Sequence, residues 1–283
     1  ARSHRPVRVV LRLNDVGLAA GLVRATGAPL ALPQWRDALV HVHQWLGPVR
    51  VCIAGGEPAR SPLLEEVLRF ANRLECPTHL VTAGPIAEDS AMALVDRGLG
   101  AVTVLVAGVD EGTHQATLGQ PLSDATTTVE SFRRARADRD RPIQLLVGVP
   151  LSASNIGSVG AIAGWARQSG VDGILATLPL GVEPPPGALA ALESLGRDDL
   201  TPDHLREVLA GRGGGLHGGL RMEILSDGTV LASSHVAPLG SLRQIPDPKD
   251  IWESADEQIQ VARKHPRPWD EVELVPQRLF SIR

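Results

Sequence analysis

A chain of 283 residues can bury a sizeable core, and 43% hydrophobic against 21% charged residues excludes disorder as the dominant state. A formal net charge of -4 leaves no basic surplus for non-specific phosphate binding, and 3% aromatics with no Tyr leave no stacking platform for bases, so nucleic acid is not an expected partner. Two cysteines, Cys52 and Cys76, are too few for a Cys-rich metal site or a disulfide framework.

Residues 1–10 pass from a short basic stretch into a strand-like run that stops at Arg12 and Asp15, without the long apolar region of a signal peptide. No apolar run reaches the roughly 18 residues of a membrane span, and a soluble cytoplasmic protein without membrane contact is expected. From residue 7 to about 180, short Val/Leu/Ile/Ala runs alternate with longer amphipathic stretches, the pattern of βα units around a parallel sheet. Strands are expected at 7–15, 49–54, 79–83, 101–107, 143–150 and 173–179, and helices at 33–47, 61–74, 87–96, 124–138 and 156–169. In the second of these helices Leu63, Leu64, Val67, Leu68 and Ala71 recur at helical spacing, with Glu65, Glu66 and Arg69 outside. Six such units predict an α/β fold, a partial (β/α)6 TIM-like barrel carrying its site on the loops after the strands. A three-proline run within 181–190 predicts a linker, followed by a helix at 201–210 and a glycine-rich irregular stretch at 211–219. Ser226-Asp227-Gly228 between apolar runs at 220–225 and 229–233 predicts a hairpin, and 250–263 a short helix. The expected division is a barrel over 1–185 and a linker helix with a small β-hairpin and helix region over 186–283.

Directly after the second strand stands Ala54-Gly55-Gly56-Glu57-Pro58, which resembles the GGEP motif of the radical S-adenosylmethionine (SAM) superfamily, whose barrel is a partial (β/α)6. Thr82-Ala83-Gly84 is similar to that family's Thr-Asn-Gly after strand three. Gly108 through His114, with Gly119, is similar to its strand-four stretch, and Asn155 follows strand five where the family often has Asn. The stretch from Met222 to Ser234, then Leu239-Gly240-Ser241-Leu242 and Ile251-Trp252, resembles a SPASM or twitch region. In the family a Cys-x3-Cys-x2-Cys loop after strand one holds a [4Fe-4S] cluster; here the aligned positions are Val16, Ala20 and Val23. These side chains offer no lone pair to iron, so no [4Fe-4S] cluster and no radical chemistry are expected. At the positions where a SPASM region would have cysteines stand Gly215 and Ser233. The polar hooks of the family's SAM pocket are apolar here too, at Ala83, Leu105 and Ala107. Gly55, Gly56 and Glu57 persist, so the resemblance leaves a residual SAM-type site open.

Three side chains stand out as candidate catalytic groups. Glu57, at the expected barrel mouth, has two readings: a carboxylate that binds an amine or acts as a base, and a turn former. Asp15, beside Asn14 at the end of strand one, either lines a polar pocket or makes the turn. His114 is either a base or ligand of the strand-four loop, or a packed rim residue. The resemblance implies a cluster-free binding or partner subunit in the maturation of a ribosomally made peptide or related natural product, with a peptide substrate or a protein partner enzyme. The alternative is a retooled enzyme that uses the vacated barrel mouth for SAM or another small molecule in non-radical chemistry.

Overall fold

A computed structural model describes residues 5–17, 23–139, 142–177, 185–196, 199–201, 205–206, 209–210, 221–232 and 237–264. Strands β1 (Arg8–Leu11), β2 (Arg50–Ile53), β3 (Thr78–Thr82), β4 (Ala101–Leu105), β5 (Gln144–Pro150) and β6 (Gly173–Thr177) pair side by side, all parallel, in chain order. Helices α1 (Leu32–Leu46), α2 (Leu64–Arg73), α3 (Glu88–Asp96), α4 (Glu111–Leu118), α5 (Leu122–Arg139) and α6 (Val159–Gln168) supply the crossovers that parallel neighbours require. The sheet is not closed, which makes this the expected partial (β/α)6 barrel. On its outer side β6 is covered locally by Asp199, bridged to Ile174, and by the Thr201 hydroxyl, which accepts from Ala176 N at 2.8 Å.

On the other side of β1 lies β7 (Arg221–Ile224), again parallel, followed by the antiparallel β8 (Thr229–Leu231) and β9 (Gly240–Ser241). The expected hairpin therefore exists and extends the barrel sheet. Its turn is held by Asp227, whose carboxylate accepts from Thr229 N at 3.0 Å and, across the sheet, from Thr26 N at 2.9 Å and Gly27 N at 3.0 Å. Partial desolvation works against ionisation there, but these backbone N–H groups outweigh it and hold the carboxyl below its ordinary range.

The strands have two distinct faces. Val9, Leu11, Val51, Ile53, Leu80 and Val102 face the helices and join one continuous core with α1, α2 and α3 side chains such as Trp35, Val67 and Leu94. In α2 the buried set is Leu64, Val67, Leu68 and Ala71, the stripe expected from its spacing. The alternate residues face the concave interior, where Val10, Cys52, Ala54, Val81 and Leu105 form a separate small cluster. The same alternation puts Arg8, Arg12, Arg50, His79, Thr103, Arg221 and Glu223 on that interior face.

Differences from the sequence expectation are local. The expected strand at 7–15 is regular only over Arg8–Leu11; beyond it the Asn14 side chain turns the chain by accepting from Val16 N, and Asp15 bonds Ala25 N ten residues on. The segment expected as a loop before His114 contains α4, opened by Asp110, whose carboxylate accepts from Thr113 N at 2.8 Å, and closed by Gly119 at φ +69°. The helix expected at 250–263 is two helices, Pro248–Ser254 and Asp256–Lys264, separated at Ala255. Ala20, Gly215, Ser233, the glycine-rich 211–219, most of the expected linker and several residues of the expected helix at 201–210 lie outside the described residues. Among the described residues no helix is long and apolar enough to cross a membrane.

His79 is fully buried on the interior face, its Nε2 at 2.8 Å from Thr103 Oγ1. Burial, helped by the nearby Arg50 guanidinium, pulls its pKa down to about 3 from the ordinary 6.5. Between those values the unfolded chain holds a proton that the folded chain refuses. Stability therefore falls as pH drops from 6.5 toward 3 and is unaffected by this group at higher pH. Urea unfolding of wild type and His79→Leu at pH 7, 6 and 5 checks this: the difference between them should change across that range, and a constant difference would refute it.

Candidate functional site

The carboxyl ends of β1, β2 and β3 converge on the Gly55-Gly56-Glu57 turn. Gly55 and Gly56 have φ of +81° and +64°, so the turn needs two consecutive left-handed residues. Space is equally restrictive: a Cβ on Gly56 would lie 2.3 Å from the Asn14 carbonyl oxygen. Asn14 clamps the turn from β1's end, its Nδ2 donating to Glu57 O at 2.8 Å and its Oδ1 accepting from Glu57 N at 3.2 Å and Val16 N at 3.0 Å.

The Glu57 side chain points under β3 and is 1% exposed. Oε1 accepts from Ala59 N at 3.0 Å and from Thr82 Oγ1 at 2.5 Å, and Oε2 accepts from Ala83 N at 2.8 Å. Desolvation pushes its pKa up, opposed by those hydrogen bonds and by Arg60. The carboxylate thus joins the β2 and β3 loops and is held away from solvent.

Beside this turn runs a second network. Arg12, 1% exposed, bonds the Glu223 carboxylate of β7 and the Val23 carbonyl, and lies 3.8 Å from the Asp15 carboxylate. Asp15 Oδ2 also accepts from Ala25 N at 2.7 Å. Arg12 and Asp15 therefore tie down the far end of the loop in which the aligned cluster positions Val16, Ala20 and Val23 fall. The structure joins Asn14, Asp15, Gly55, Gly56 and Glu57 at one rim, whereas His114 bonds within its own connection. His114 Nδ1 accepts from Ala107 N at 3.4 Å, the ring is fully buried, and desolvation lowers its pKa despite Glu111 and Asp124. Sequence reasoning singled out neither the Arg12–Glu223 pair nor the Thr82–Glu57 bond. The available signal was charge at even spacing, Arg8 in β1 with Arg12 just beyond its end, and Arg221 and Glu223 in β7, among residues otherwise apolar.

The residues present do not fit the iron–sulfur cluster that the fold family implies. Val16 and Val23, both described, carry no donor atom, and among the described residues no group of His, Cys, Asp and Glu could hold a metal ion. Cys52 lies in β2 inside the barrel, where burial pushes its thiol up to about 12 although Arg8, Arg221 and Arg50 pull the other way. Burial likewise raises the Cys76 thiol in the turn before β3. Neither lies in the loop that carries the aligned cluster positions.

No family model matches the sequence. The chain is 30% identical over 148 residues to a PqqA peptide cyclase of Streptomyces rochei, a match covering 52% of this chain and 39% of that protein, so it spans well under half of the relative's length. Among solved structures it is similar to SuiB of Streptococcus suis bound to S-adenosylmethionine, with TM-score 0.68, 13% identity and coverage of 97% of this chain and 76% of that one. It is also similar to anSMEcpe bound to AdoMet and the Cp18Cys peptide, with TM-score 0.67, 16% identity and coverage of 94% and 88%. The fold is that of radical SAM enzymes.

Proposed function

We propose that this chain, which has the radical SAM fold, is a cluster-free member of that structural group. In this reading it binds a peptide, or the enzyme that modifies one, in the maturation of a ribosomally made peptide, without radical chemistry of its own. The observation that carries this reading is the rim itself. Where the family builds its cluster and SAM pocket, Arg12, Asp15, Asn14 and Glu57 are engaged with Glu223, Ala25, Val16, Thr82 and Ala83 of the same chain. The peptide part is supported by the relatives: one is named for cyclising the peptide PqqA, and SuiB has been solved with its precursor peptide SuiA.

Anaerobic reconstitution with iron and sulfide, followed by SAM and dithionite, tests the loss of radical chemistry. The expected result is iron at trace level and no 5′-deoxyadenosine; reductant-dependent 5′-deoxyadenosine would overturn the proposal. Selection from a displayed library of linear peptides tests the binding role, with an enriched consensus expected and no enrichment over a carrier control counting against it. The buried Glu57 carboxyl, pushed upward by desolvation, favours the second reading, a retooled small-molecule site. A thermal-unfolding titration with SAM separates the two: at about 100 times its dissociation constant a ligand stabilises by roughly 2.7 kcal/mol, and a saturable shift would support the retooled site.

A further inference from the structure

A cleft of about 320 Å³ opens between α2 and α3, at the small end of the roughly 300–1,000 Å³ typical of small-ligand sites. It shares backbone with the Glu57 turn. Ala59, in one wall, donates its N–H to Glu57 Oε1, and Pro85 and Ile86, in the other, stand two and three residues after Ala83, whose N–H donates to Oε2. The cleft therefore adjoins the rim without being lined by Glu57 itself.

The floor is apolar, formed by the buried side chains of Leu64, Ile86 and Leu94. Above it stand the carboxylates of Glu65 and Glu66 and the hydroxyls of Ser61 and Ser90. Glu65 meets Arg97 at 3.8 Å, within ion-pair range but longer than a hydrogen bond. Arg36 and Arg69 both reach Glu66 through the same oxygen, Oε2. A carboxylate accepts at about four positions, so both groups keep capacity for a further donor. Among the described residues no lysine or arginine lines the cleft. An anion would meet like charge there, and a purely apolar ligand would cover two carboxylates without pairing them.

We propose that this cleft receives one basic side chain, lysine or arginine, of a bound peptide. Its aliphatic stem lies over Leu64, Ile86 and Leu94, and its charged head reaches Glu65 and Glu66, the division of labour that long cationic side chains allow. The peptide as carrier rests on the function proposed above; the preference of the cleft for a basic side chain does not.

Methyl NMR of the whole chain tests the cleft by itself, with Nα-acetyl-lysine methylamide and Nα-acetyl-arginine methylamide as probes and Nα-acetyl-norleucine methylamide as the uncharged stem. The expected result is saturable shifts of the Leu64, Ile86 and Leu94 methyls with a basic probe, the tighter of the two naming the head group, and weaker binding of the norleucine probe. The side chains of Glu65 and Glu66 are 46% and 31% exposed, so one charge contributes modestly, and Glu65→Gln should raise the dissociation constant about two- to fivefold. Ser90→Trp puts a large side chain at an exposed lining position and should abolish the shifts without lowering Tm. Equal affinity for all three probes, no saturable shift in the millimolar range, or binding unchanged in both variants would overturn the proposal. A displayed-peptide consensus obtained alongside absent cleft shifts would overturn the cleft alone and leave the peptide role standing.

Discussion

Gly56→Ala is expected to destabilise the protein by about 3–5 kcal/mol, a large fraction of the stability of any domain. Two costs combine at this position. An alanine at φ +64° carries left-handed strain of roughly 1–2 kcal/mol. Its Cβ would also meet the backbone oxygen of Asn14 at 2.3 Å, and a backbone atom cannot swing aside as a flexible side chain can. Relief requires Asn14 to move, which breaks its bonds to Glu57 N, Glu57 O and Val16 N, each worth about 1 kcal/mol. Gly157→Ala is the control, since a Cβ there meets nothing within 4 Å and φ is not positive. Urea unfolding of both variants checks the expectation. A Gly56→Ala protein within about 0.5 kcal/mol of wild type, the range of an ordinary surface substitution, would mean that the turn is not held as described.

Arg12→Met is the second large effect, at about 3–5 kcal/mol, because it takes from the buried Glu223 carboxylate the guanidinium that bonds it directly. Arg12 has other duties, at the Val23 carbonyl and near Asp15, so loss of packing alone cannot be separated from loss of charge in one variant. The double variant Arg12→Met with Glu223→Gln resolves this. Measured together with Glu223→Gln alone, the double variant should lose less than the sum of the two single losses, a departure from additivity. If the two changes simply add, the pair does not interact as the structure places it.

The fold was largely legible because its strands are short apolar runs and its helices carry stripes at helical spacing. The stripe of Leu64, Val67, Leu68 and Ala71 is a clear case. What escaped was α4, where the helix signals were the flanking Asp110 and Gly119 and the intervening Gly-Thr-His-Gln has almost no apolar side. The rim was half legible. Glycine pairs that demand left-handed backbone announce themselves, so the Gly55-Gly56-Glu57 turn and its neighbour Asn14 could be located from sequence. Which atoms Glu57 would bind could not, since Thr82 and Ala83 lie a strand and a helix away and three donors converge on one carboxylate only after α2 packs. The Arg12–Glu223 pair was further out of reach, because no local pattern says that β7 lies beside β1.

That placement of β7 bears on how the chain folds. The earliest strand, β1, sits in the middle of the finished sheet, between a neighbour that follows soon after it and one formed near the far end of the described sequence. Until the later strand arrives, one side of β1 presents bare backbone N–H and C=O groups flanked by Val9 and Leu11, a template for pairing with another chain. Such a long-range pairing carries a high loop-closure cost and is slow to form. A chain cut before β7 would keep that edge of β1 open to pairing with another copy even with every barrel residue intact.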